Sequence, residues 1–283
     1  MKNHNGVDLT GKIIVVTGGG GVICSGFANV LANCGASIAV LDLKYEAAAK
    51  VANEITADGG SAIAIEADVL DKVSLENAEA MVLDAFGKCD ILINGAGGNH
   101  PKGITSKEHF EKGDIENPDV VSFFDLDYEG IKFVFDLNFL GTFLPIQVFS
   151  RNMIGRTGCN IINLSSMAAF KPLTKVLAYS ASKAAISNLT AWLAVHFADE
   201  GIRVNAIAPG FFATAQNHSL LYDKDGNLTE RSGKIIGHTP MGRFGTVDNL
   251  TGTLLWLVDE KSSGFITGVV IPIDGGFSAY AGV

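Results

Sequence analysis

Short, mostly continuous apolar runs alternate with amphipathic stretches along this chain. Lys12-Ile13-Ile14-Val15-Val16, Ala36 to Leu41, Ala62 to Ala67, Asp90-Ile91-Leu92-Ile93, Ile161 to Leu164, Arg203 to Ala208 and Val269 to Ile273 read as buried strands. Between them, Val22 to Cys34, Tyr45 to Ala57, Lys72 to Phe86, Phe133 to Met153, Leu177 to Glu200 and Thr246 to Val258 carry apolar residues at helical spacing. Strands and helices alternating in this way predict an α/β fold, a doubly wound parallel sheet of about seven strands with helices on both faces and right-handed crossovers. Two stretches break the alternation. About 99–132 is polar at its start, aromatic near Phe123-Phe124 and rich in turns, which reads as an inserted lid or subunit contact. About 211–245 reads as a mobile substrate loop, turning at Asp223-Lys224-Asp225-Gly226-Asn227. No linker or repeat interrupts the series, so residues 1–283 form one domain.

Composition narrows the function. At 283 residues and 47% hydrophobic the chain can bury one large core. A net charge of −9 disfavours nucleic acid and anionic membrane as partners and leaves a small molecule. The cysteines, Cys24, Cys34, Cys89 and Cys159, lack metal or disulfide spacing, so no metal site is expected. Met1 to Lys12 has no apolar targeting core, and no run approaches the ~18 apolar residues of a membrane span, so a cytoplasmic location is expected.

The first strand runs into Thr17-Gly18-Gly19-Gly20-Gly21 and then a helix. Glycines let the backbone approach a pyrophosphate, and a helix N-terminus offers it free N–H groups. Asp42 ends the second strand, where a carboxylate accepts hydrogen bonds from ribose hydroxyls and repels a 2′-phosphate, favouring NAD over NADP. Tyr179 and Lys183 stand one turn apart on a helix, so their side chains are neighbours. A phenol with a pKa of about 10 becomes a useful base when a nearby ammonium favours its phenolate.

With Ser166 before Tyr179 and Asn138 before that, the pattern resembles the short-chain dehydrogenase/reductase family, from Leu9-Thr10-Gly11-Lys12 to Asp274-Gly275-Gly276. The resemblance implies a Rossmann-type fold and a catalytic set of Asn138, Ser166, Tyr179 and Lys183. In that set Tyr179 exchanges the proton and Ser166 orients the substrate oxygen. Lys183 lowers the tyrosine pKa and holds the nicotinamide ribose, and Asn138 holds a water linking Lys183 to solvent. It further implies cofactor contacts from Gly18, Gly20, Gly21, Val22, Ile23, Asp42, Asp68, Val69, Asn94, Gly95, Ala96, Tyr179, Lys183, Pro209, Phe212 and Thr214, with a homo-oligomer, dimer or tetramer, as the assembly.

Three departures stand out. Val22 and Cys24 occupy positions where the family has glycine, Gly95 replaces an asparagine, and the stretch from Gly97 to Asn138 is about twice the usual length. Within the family, Asn94 to Pro101, Phe135-Asp136-Leu137-Asn138 and Gly276 to Tyr280 resemble the D-mannonate oxidoreductase (fructuronate reductase) subgroup, which implies NAD-dependent interconversion of D-mannonate and D-fructuronate. Dehydrogenation of another aldonate or polyol, such as that of a gluconate 5-dehydrogenase, remains open. So do a nonredox epimerase or dehydratase that retains NAD, and a cofactor-binding regulator. A sugar acid meeting so acidic a protein needs local cations, and Lys175, His100 and Arg231 are the candidates.

Overall fold

The computed structural model describes residues 6–213 and 221–282. Seven parallel strands form one sheet in the order β3-β2-β1-β4-β5-β6-β7: β1 Ile13–Thr17, β2 Ser37–Asp42, β3 Ser61–Glu66, β4 Ile91–Asn94, β5 Cys159–Leu164, β6 Ile202–Pro209 and β7 Val270–Ile273. Each strand predicted from an apolar run is present with ends moved by one or two residues, the usual uncertainty of fraying termini. The centre of the sheet is buried on both faces; every residue of β5 is enclosed, as expected of a parallel sheet covered by helices.

Helices α1 Val22–Asn33 and α2 Tyr45–Ala57 pack on one face through Phe27, Leu31, Val51 and Ile55. Helix α3 Lys72–Ala85, whose N-cap Asp71 accepts from the Val73 N–H at 2.9 Å, covers the other face through Leu75, Ala78 and Val82. Strand order reverses between β1 and β4, and the crevice at the carboxyl ends of these strands is where open α/β sheets bind ligands.

The inserted segment holds no sheet strand and folds as three 3-10 turns, Pro101–Gly103, Lys112–Asp114 and Phe123–Asp125. Asp127 then caps α4 Tyr128–Phe135 by accepting from the Gly130 N–H at 2.8 Å. A π-helical turn, Asp136–Leu140, joins α4 to α5 Gly141–Phe149. Together with the 3-10 turn that follows, these elements run from Tyr128 to Asn152, long and apolar enough to pass for a membrane span, contrary to the expectation that no run would. Half of its most apolar window lies inside the fold, and α5 packs on α3 through Ile146 and Phe149.

Helix α6 is Leu177–His196, shorter than the predicted stretch to Glu200 because a separate 3-10 turn, Ala198–Glu200, closes on the left-handed Gly201. The described part of 211–245 contains regular structure where a loop was expected. Tyr222 and Leu228 bridge antiparallel, and α7 Glu230–Gly237 starts at Thr229, whose hydroxyl accepts from the Ser232 N–H at 3.2 Å. Helix α8 Asp248–Val258 returns the chain to the core.

Candidate active site

The glycine turn is shaped by close approach. Gly18 sits at φ +61°, and a β-carbon there would come within 2.8 Å of the Ala96 backbone, so no other residue keeps this geometry. A β-carbon on Gly20 would lie 2.5 Å from that of Ala47. The Gly20 N–H donates to Asp42 Oδ2 at 3.0 Å and the Lys44 N–H to Oδ1 at 3.1 Å, which fixes the carboxylate at the end of β2. Gly21 caps α1 without any side-chain acceptor for the first-turn N–H groups.

These elements enclose a cavity of about 460 Å³ at the switch point. Asp42 and Gly18, Gly21, Val22, Ile23 and Cys24 line one end; Ser166, Tyr179 and Lys183 line the other; Gly95, Ala96, Pro209 and Phe212 complete the wall. The volume is in the range of cofactor sites. A carboxylate at one end, an uncapped helix start in the middle and a titratable pair at the far end suit a dinucleotide.

Other expected residues support this wall without forming it. Asn94 is buried beneath it and donates to Asn163 Oδ1 at 2.9 Å, and Asn163 in turn donates to Thr190 at 3.0 Å. Asp68 accepts from the Leu70 N–H at 2.8 Å, shaping the turn after β3, and Val69 packs under Gly141. Thr214 lies outside the described residues. Gly97, Gly98, Leu164, Ser165, Gly210 and Phe211 also line the cavity. None of these was among the expected cofactor contacts, although Gly97 and Gly98 come shortly after β4 and Gly210 directly after β6, where such sites form.

The titratable pair differs from expectation in one respect. Lys183 Nζ lies 5.6 Å from the Tyr179 ring centroid but donates to the Leu164 carbonyl at 2.8 Å. Desolvation raises the Tyr179 pKa above its ordinary value, opposed by the Ser166 hydroxyl. The ammonium is directed at a backbone oxygen instead of the phenol.

Burial also lowers Lys183 to about 8. Below pH 8 it is protonated both folded and unfolded; between there and its unfolded value of 10.5 the unfolded chain binds more protons, so stability gains with rising pH. The buried Cys24 thiol, raised to about 12 by desolvation, acts in the opposite sense above its ordinary value of 9.0. Comparing the parent with Lys183→Met removes most of that shared contribution. The parent's stability relative to the variant should climb from pH 8 to 10, measured by denaturant unfolding; parallel pH curves would contradict the lowered lysine.

Asn138 sits in the π turn, a helix irregularity frequent at functional sites. Its Nδ2 donates to Gly98 O at 2.7 Å and Val134 O at 2.8 Å, and its Oδ1 accepts from the Gly98 N–H at 3.3 Å. A β-carbon on Gly97 would lie 2.7 Å from Asn138 Oδ1 and 3.3 Å from Lys183 Nζ, so the two side chains flank that glycine.

The candidate substrate cations separate. His100 packs on Phe133, with ring centroids 5.2 Å apart, and its Nδ1 accepts from the Lys102 N–H, so it reaches neither this cavity nor the next one. Lys175 and Arg231 line a second cavity beyond Phe211.

Residues 12–225 match the family model for short chain dehydrogenases. An uncharacterised oxidoreductase of Haemophilus influenzae is 55% identical over 99% of this chain and 97% of its own length. Another from Bacillus subtilis is 55% identical, covering 98% of both chains. The crystal structure of a Haemophilus protein described as a candidate D-mannonate oxidoreductase with bound NAD superposes with a TM-score of 0.95 at 54% identity, covering 98% of this chain and 99% of that one. On the matched model, the identities over nearly full length and the shared architecture, the chain belongs to the short-chain dehydrogenase/reductase family.

Proposed function

We propose that the chain is an NAD-dependent dehydrogenase interconverting a secondary alcohol and a ketone on a sugar acid, with D-mannonate and D-fructuronate as the pair. The observation that carries this reading is the single cavity with a ribose-type carboxylate, Asp42, at one end and Ser166, Tyr179 and Lys183 at the other. The bound NAD of the structural relative described as a candidate D-mannonate oxidoreductase supports both the cofactor and the substrate class.

Bound NAD supplies the hydride acceptor or donor. Gly18, Gly21 and the start of α1 would hold its pyrophosphate, Asp42 its adenosine ribose and Lys183 its nicotinamide ribose. Tyr179 gives its hydroxyl proton to the carbonyl oxygen in reduction and takes it back in oxidation, and its raised pKa keeps it loaded as a donor near neutrality. The Ser166 hydroxyl, fixed by accepting from the Ala168 N–H at 3.1 Å, orients the substrate oxygen. Lys183 stabilises the phenolate that forms in the reductive direction. Asn138 holds the Gly97-Gly98 wall beside Lys183, and the free lone pair of its Oδ1 suits a water joining the lysine to solvent.

Apolar surface on α4, the π turn and α6, including Phe133, Leu140, Leu177, Trp192 and Val195, supports a homo-oligomer, dimer or tetramer. Four buried, unpaired thiols suit the reducing cytoplasm.

A panel of aldonates, keto-uronates and polyols scanned for absorbance change with NAD(H) and NADP(H) tests the reading, which fails if D-mannonate gives no NADH. NAD should exceed NADP at least tenfold in kcat/KM, about 1.4 kcal/mol. Asp42→Ala should narrow that ratio and raise the KM for NAD, because it also frees the Gly20 N–H. Equal use of both cofactors by the parent would rule out the assigned role of Asp42.

A further inference from the structure

Phe211 divides the cofactor cavity from a second cavity of about 440 Å³. Five basic side chains, Lys171, Lys175, Arg231, Lys234 and His238, face it against two carboxylates, Glu108 and Glu230. Both carboxylates are taken by one lysine: Lys234 Nζ lies 3.4 Å from each. Lys171 donates to the Tyr280 carbonyl, and His238 Nδ1 pairs with the Lys234 carbonyl at 2.8 Å. Lys175 and Arg231 therefore face the cavity with no carboxylate partner among the described residues. In a protein of net charge −9, this is a local concentration of positive charge around one cavity.

The backbone at Lys175 adds a second observation. It is the single non-glycine residue with positive φ, +72°, among the described residues. For a residue with a β-carbon this conformation is uncommon and persists where its surroundings enforce it. Its carbonyl is held by the Thr105 N–H of the inserted segment at 3.1 Å. The side chain thus leaves a fixed point in the short connection between Ser166 and Tyr179. Arg231 belongs to α7 and lines the same cavity.

We propose that Lys175 and Arg231 form the carboxylate subsite for the far end of a hydroxy acid whose reacting carbon lies at Tyr179, the substrate passing beside Phe211. The inference rests on the reading of the chain as a sugar-acid dehydrogenase and assigns the charged end of that substrate to two residues. A planar guanidinium fork and a flexible ammonium together match the two oxygens of a carboxylate.

The test is a calorimetric titration of the protein saturated with NADH, using D-mannonate as the probe. The parent should bind, and Arg231→Gln and Lys175→Gly should each bind about tenfold more weakly with NADH affinity unchanged. Glycine adopts the left-handed backbone freely, so Lys175→Gly should retain or gain thermal stability and its lost affinity reports the missing ammonium. No binding by the parent, or equal affinity in the parent and both variants, overturns the subsite. Inorganic phosphate binding as tightly as D-mannonate overturns its assignment to a carboxylate. NADH formation from D-mannonate by the parent, measured separately, judges the underlying reading. Binding through both residues without oxidation of any aldonate would retain the subsite and reject that reading.

Discussion

Tyr179→Phe should lower kcat by about 10³-fold or more in both directions while leaving NADH affinity within about twofold of the parent. Positioned proton transfer contributes about 10² to 10⁴ in rate, and the phenol lines the cavity beside Ser166. The ring that shapes the wall remains, so cofactor binding should persist. Because desolvation holds the phenol protonated, the parent's reductive rate should be flat through neutrality, fall first as Lys183 loses its proton near pH 8, and fall again above the tyrosine's ordinary value of 10.0. Steady-state kinetics over pH 6 to 11 with a fluorescence titration of NADH would check both halves. Retention of substantial kcat by the variant at pH 7 would remove Tyr179 from the chemistry.

Gly95→Asn is the second large effect, and it joins two departures from the family pattern that are far apart along the chain. A β-carbon on Gly95 would come within 2.0 Å of Cys24 Sγ, a contact no real structure tolerates. The cysteine occupies, from α1, the space that a side chain after β4 would need. Restoring the asparagine alone should overpack this site by about 3 kcal/mol, toward the upper part of the usual range, and weaken NADH binding because both residues line the cofactor cavity. Cys24→Gly alone should cost about 1 kcal/mol through the loss of a buried side chain and the glycine in a helix. The double substitution should recover most of the loss, with a coupling of about 1–3 kcal/mol in guanidinium unfolding. Additive effects would show that the two departures are independent.

That coupling marks where sequence reading reached its limit. The seven strands were legible because enclosed strands are continuous apolar runs, and Tyr179 and Lys183 because helical periodicity makes them neighbours. Spacing does not specify where a flexible ammonium points, so the Lys183 bond to the Leu164 carbonyl and the raised phenol pKa were not foreseen. Helix α7 was missed because a turn at 223–226 precedes it and it is short and charged, although Thr229 carries an N-cap signal. By position along the chain both Lys175, the first candidate, and His100, the second, sit in segments tethered close to the site at both ends. The fold separates them: the Lys175 backbone is left-handed, and the His100 ring packs tilted against Phe133.

The inserted segment is fastened in two directions: its Thr105 N–H holds the Lys175 carbonyl, and its Glu108 meets Lys234 of α7. For protein engineering this makes three separate stretches, the insertion, the connection at 171–175 and α7, a single transplantable module. A chimera that receives the insertion alone should gain a segment with no fastening. One that receives all three should carry the charged cavity with it onto another dehydrogenase scaffold.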